Sequence, residues 1–351
     1  MQAPMDTTQS PIDAPSSAPA QSPIDASSSV PVSDLTLGKS LPFSTFFFSL
    51  AIFQLTQAQR KILQFLRHLL PIISPSYSSS TDGNVLKKVK SDLDYYLPFR
   101  QHAPSLANAR REIYADVNRL ASPTGVGLFN VLAFRGVFFG SPFVRSDRFK
   151  WFDQYEDWER LMIDEKAEAT KNRRKEEEYY VKRNCYGRTQ KERSTKLLKE
   201  YWKKRNLWTM LFNQPTKPTA ERVYYWLTSA DDGVTRFRNI GSLTALLICG
   251  DLVEAGLVLM PSPRELGELI FKVGKGAKDG MAMFGLVKNS ANKEELCEAF
   301  ASLDLALQRE LTEDEKEAMG YNVIMLEHTL CKMKRLTSRG ISMESLLSEI
   351  N

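Results

Sequence analysis

His328 and Cys331 stand three residues apart, a spacing at which one helix face offers two ligands to zinc. If the helices carrying Cys297 and His328 fold back on each other, Cys297 reaches the same level, and Glu294, Glu298 or Glu327 would have to complete the set. A structural zinc site wants a recognisable ligand pair on each side, and only one side has it. The plainer reading is a core histidine beside two buried thiols. His68 and His102 have no HExxH or Ser/His/Asp context, so hydrolase chemistry has little to stand on and no cofactor is implied.

The string Gly274-Lys-Gly-Ala-Lys-Asp-Gly280 is the part most like a phosphate loop. Its glycines would free backbone N–H groups for an anion. It does not match GxxxxGK[ST], and a helix beginning at the Ser262–Glu265 capping pair runs into it. A helix C-terminus presents carbonyls, the wrong polarity for phosphate. A helix-ending linker is the better reading.

The strongest signal is charge. Residues 171–205 carry 14 Lys/Arg against five Asp/Glu, a net of +9, whereas the whole chain is +5. A local cation this dense implies an anionic partner: nucleic acid, membrane or an acidic protein. Lys171, Arg173, Arg174 and Lys175 precede Lys182 and Arg183 at the spacing of a bipartite nuclear import signal. Between them, Glu177 and Glu178 lie at i+4 from Arg173 and Arg174 and would partly neutralise the patch on a helix. Further on, Lys196, Lys199 and Lys203 follow helical pitch, Leu198 and Trp202 occupy a neighbouring face, and Lys204 and Arg205 close the run. Cations at that pitch can track a phosphate backbone. Tyr201, Trp202 and Trp208 could stack on unpaired bases, which favours single strands. The opposing reading is that Leu197, Leu198, Tyr201 and Trp202 dock on the core while the lysines face water.

The elements that must position these residues read as helices. Residues 1–40, rich in Pro, Ser, Ala and Gln with QSPIDA repeated at Gln9–Ala14 and Gln21–Ala26, cannot offset their ordering entropy and are expected to be disordered. Ser10-Pro11 and Ser22-Pro23 have the form that proline-directed kinases favour. The segment Leu41–Leu55 is uncharged but shorter than a span needs, so it reads as a buried or interfacial helix. Residues 41–145 form an apolar helical region, in which Gly125–Val144 fits helix or strand, with helix preferred. Residues 146–210 form a basic, aromatic-containing connector, with a capping box at Thr189–Glu192 that predicts a helix over 189–205. Residues 216–351 form a compact all-α domain, with capping boxes at Ser262–Glu265, Asn292–Glu295 and Thr312–Glu315. A break near Leu311–Thr312 predicts an antiparallel hairpin of the helices on either side.

The expectation is a mostly α, multi-segment protein with a disordered tail. Its widely spaced cysteines and the absence of a basic or apolar leader in the first residues favour an intracellular place, nuclear ahead of cytoplasmic. Its expected role is non-enzymatic binding of nucleic acid or another polyanion, with the C-terminal domain supplying protein contacts or self-association. The alternative is a membrane-peripheral or protein-binding scaffold that uses 41–55 and the basic helix.

Overall fold

Helix starts are written locally, and the three capping boxes of the C-terminal region all form. Ser262, Asn292 and Thr312 each accept from the backbone N–H three residues on, and the glutamate there returns the bond. A fourth box, Thr56 with Gln59, starts the first helix. The computed structural model describes residues 54–77, 83–171, 176–231 and 234–350. The tail 1–40, its repeated hexapeptide, residues 41–53 of the apolar segment, and Arg173, Arg174 and Lys175 lie outside these residues.

The described chain is mostly helical. Its first half holds α1 (Gln57–Leu69), α2 (Asn84–Ser91), α3 (Leu93–Tyr96), α4 (Pro104–Glu112), α5 (Val117–Leu120) and α6 (Val126–Ala133). Then come α7 (Tyr155–Lys171), α8 (Glu176–Tyr180), α9 (Leu197–Lys203), α10 (Thr209–Phe212) and α11 (Ala220–Thr228). The C-terminal part holds α12 (Ser242–Glu254), α13 (Pro263–Val273), α14 (Ala277–Met283), α15 (Lys293–Glu310), α16 (Glu313–Met319), α17 (Val323–Ser338) and α18 (Met343–Ile350). A two-residue antiparallel ladder, Ala230–Asp231 with Val234–Thr235, is the sheet seen among the described residues.

Gly125–Val144 is helical, as preferred, but not uniformly so. After α6 the chain opens into a π turn, Phe134–Phe138, which wedges an aromatic cluster into the core. Phe138 lies 5.0 Å from Phe143 and 5.1 Å from Trp158, and Trp158 lies 5.2 Å from Tyr180. The apolar residues of 146–210 therefore share one core with the segments before and after them. Phe53–Asn351 holds together as one unit.

Two expectations fail. The Thr189–Glu192 pair does not start a helix, and helix begins only at Leu197. Arg193 is the reason: it is fully buried and donates to the carbonyls of Val137 and Phe139, which ties the preceding loop into the core. Nor do α15 and α17 make the predicted hairpin. The box at Thr312 and a left-handed Gly320 build a separate helix, α16, between them. Consequently α15 packs along α13, and α17 along α14.

Small residues choose these partners. A Cβ at Gly280 of α14 would stand 2.3 Å from the Leu330 carbonyl oxygen of α17, and one at Gly267 of α13 would stand 3.0 Å from Cys297 Cα of α15. Gly280→Ala is expected to lower stability by about 1–3 kcal/mol through overpacking. Gly241→Ala meets nothing within 4 Å and should be neutral in the same denaturant titration.

The core also encloses charge. Asp251 accepts from Arg135 Nε and Nη2, both at 2.5 Å, from Arg100 Nη2 at 2.6 Å and from the Tyr114 hydroxyl at 3.1 Å. Lys332 is equally buried and donates to the carbonyls of Asp94 and Tyr95. Beside it, burial pushes the Glu327 carboxyl up from 4.5 to about 7, against the pull of Arg100, Lys332 and Arg335. Between those two values the native state holds a proton that the unfolded chain releases, so this group's contribution falls as pH rises from 4.5 to 7. Glu327→Gln is therefore expected to gain on the parent by about 2.5 kcal/mol between pH 5 and pH 8. Urea melts of the two proteins at both pH values check this. His328, whose pKa burial lowers, has the opposite slope, but it is present in both proteins and cancels in the difference.

Candidate nucleic-acid interface

Helix α9 is short, and it separates two kinds of residue cleanly. Leu197, Leu198 and Tyr201 are buried, whereas Lys196, Lys199 and Lys203 are exposed. The apolar side docks on α6 and the π turn. Tyr201 fixes it further by donating its hydroxyl to the Arg238 carbonyl at 2.8 Å. That docking removes two of the three rings proposed for base stacking. Tyr201 is 1% exposed and Trp208 0%, with the Trp208 indole N–H donating to the Leu120 carbonyl at 2.7 Å. Trp202 is half-buried, with Phe129 at its edge and the Arg205 guanidinium 4.0 Å from its ring centre.

Two acids of the segment, Glu192 and Glu200, are engaged outside it. Arg238, from the loop ahead of α12, reaches Glu192 at 3.3 Å and Glu200 at 3.6 Å. Both carboxylates thus face a cation that lies beyond the basic window. Among the described residues, Arg188, Lys191, Lys196, Lys199 and Lys203 are exposed and none has an acidic partner. The distance in sequence hides Arg238 from any local reading. It arrives because Lys204 donates to the Arg236 carbonyl and Tyr201 to that of Arg238, which seats this loop on α9.

The remaining predicted cations are spent in different ways. Lys182 pairs with Asp92, and Arg183 pairs with Glu177 at 2.8 Å. Lys204 is taken up by the Arg236 carbonyl, and Arg205 donates to the Trp202 carbonyl at 3.1 Å. Lys171 ends α7. The ion pairs foreseen from Arg173 and Arg174 involve residues outside the described ones. Arg183 and Lys196 meet again on the rim of a cleft of about 470 Å³ that Tyr180 and Thr195 also line.

The zinc candidates do not assemble. Cys297 abuts Gly267 of α13, whereas the Cys331 sulfur lies 3.1 Å from where a Cβ of Gly276 would stand, at the start of α14. No three His, Cys, Asp or Glu side chains among the described residues converge as metal ligands. The missing α15/α17 hairpin is the cause. The glycine string is a helix stop followed by a short helix: Gly274 is a left-handed C-cap and Gly276 precedes α14. No helix among the described residues is long and apolar enough to cross a membrane.

No protein family matches this chain, and neither a curated protein nor a solved structure is significantly similar to it.

Proposed function

We propose that this protein binds nucleic acid without catalysing a reaction, through its sugar-phosphate backbone and by way of Arg188, Lys191, Lys196, Lys199 and Lys203. One observation carries the reading: the lysines of α9 face solvent while the acids beside them are held by Arg238. From Lys196 to Lys203 the run rises about 10 Å, the axial length of about three phosphates on one strand. Each phosphate neutralised releases counterions, which makes such binding salt-dependent and indifferent to sequence. With Tyr201 and Trp208 in the core, base stacking contributes little, so duplex and single strand should bind comparably.

The test is a titration of labelled single- and double-stranded oligonucleotides at ~50 mM salt. Binding that weakens steeply with salt and little with sequence supports the reading. No binding of either form at tens of micromolar protein ends it. Flotation with anionic vesicles in the absence of oligonucleotide binding would transfer the same cations to a membrane surface.

A further inference from the structure

The loop that delivers Arg238 is pinned at both ends and at its tip. Phe237 and Ile240 are buried, and the chain turns between them, with the Ile240 N–H donating to the Phe237 carbonyl at 3.1 Å. Inside that turn Asn239 has φ +65°, the one left-handed backbone outside glycine among the described residues. Asparagine tolerates this conformation better than other residues with side chains, and it persists where the surroundings fix it. Two contacts do so here. Asn239 Nδ2 donates to the Gly136 carbonyl of the π turn at 2.9 Å. The Tyr201 hydroxyl, bonded to the Arg238 carbonyl, lies so close to Gly136 that a Cβ there would stand 2.5 Å from its oxygen. The backbone at Arg238 is therefore set by α9 and the π turn together, while its guanidinium stays exposed.

The pairs that this guanidinium prevents matter as much as those it makes. Glu200 stands four residues after Lys196 and three before Lys203, the spacings at which a helix pairs opposite charges. Glu192 precedes the same Lys196 by four residues. Without another cation nearby, these acids would draw in Lys196 and Lys203, and α9 would offer a polyanion little beyond Lys199. Instead Arg238 reaches Glu192 and Glu200, and neither lysine has an acidic partner.

We propose that Arg238, aimed by the left-handed turn at Asn239, is a positioning residue for the interface: it occupies Glu192 and Glu200 and so keeps Lys196 and Lys203 free for phosphate. This role rests on the function proposed above, in which α9 meets a nucleic-acid backbone. Exposed ion pairs are individually weak and are screened by salt, so the effect is greatest at low ionic strength.

A double-mutant cycle on the full chain tests it, read as affinity for a labelled oligonucleotide at ~50 mM salt. Arg238→Gln should weaken binding about fivefold. In the parent, the pair Glu192→Gln and Glu200→Gln should raise affinity by less than about twofold, because both acids are already answered. In Arg238→Gln the same pair should raise it by at least about fivefold. Asn239→Val alters no charge but strains the turn, and it should weaken binding as Arg238→Gln does. Asn239→Gly, which adopts the turn freely, should weaken it less. With both glutamates replaced, Asn239→Val should cost nothing, which separates a misplaced guanidinium from a damaged fold. Equal gains from the glutamate pair in both backgrounds would mean that net charge alone is felt, and would overturn the proposal. A folded Asn239→Val protein that binds as the parent does would overturn it too. Should that variant not fold, the cycle on the exposed Arg238 decides by itself. No binding by the parent ends the assignment of α9 and this role with it, whereas equal gains in a parent that binds end this role alone.

Discussion

Asp251→Asn is expected to destabilise the protein by about 3–5 kcal/mol, the cost of leaving a buried charge without its partner. The side chain is fully enclosed and sits between two guanidinium groups that are themselves enclosed. Asparagine preserves its shape but withdraws the negative charge and one acceptor. Arg135 loses a two-point contact, and Arg100 is left with Glu254, whose Oε1 lies 3.5 Å from its Nε. Against a typical total of about 5–15 kcal/mol, that loss leaves little folded chain. Urea denaturation reads it directly, and a change below about 1 kcal/mol would show that the cluster contributes little. Arg135→Met should cost a similar amount. The double variant Asp251→Leu/Arg135→Met should cost less than the sum, because Arg135 is no longer left without its partner, although Arg100 still keeps only Glu254.

The second large effect concerns binding. The triple variant Lys196→Glu, Lys199→Glu, Lys203→Glu is expected to reduce oligonucleotide affinity by at least two orders of magnitude at low salt. If all three lysines reach phosphates, the slope of log affinity against log salt should shrink by about 2.7. The three positions are exposed and make no contact on which the fold depends, so the thermal midpoint should hold. A matched reversal at Lys272, Lys275 and Lys288, also exposed, carries the same change of net charge on other elements. It should leave affinity within about threefold. Equal losses in both triples would mean that net charge alone attracts the polyanion and that α9 is no interface.

Much of the architecture is readable along the chain because its causes are local. A capping box involves residues three apart, a helical stripe residues three and four apart, and a left-handed stop one glycine. Hence Ser262, Asn292, Thr312 and Gly274 do what their spacing predicts. The amphipathic division of α9 belongs to the same class: Leu197, Leu198 and Tyr201 inward, Lys196, Lys199 and Lys203 outward. Local reading fails where a distant partner outbids a neighbour. Thr189 and Glu192 have the letters of a cap, but buried Arg193 binds carbonyls more than fifty residues earlier in the chain. Cys297 and His328 have the spacing of a shared site only if their helices are partners, and glycines at 267 and 280 assign each helix elsewhere.

Taken alone, the amino-acid sequence determined the helical class, the helix starts at Ser262, Asn292 and Thr312, and the concentration of positive charge in 171–205. The tertiary structure alone decided which of those charges remain available, because that depends on Arg238, Asp92 and the carbonyls of Val137 and Phe139. It alone brought Arg100, Arg135 and Asp251 into one cluster across some 150 residues. The physical reason is that helix formation is governed by bonds between near neighbours. A charge's partner, by contrast, is whichever opposite charge or dipole the packed core carries to it.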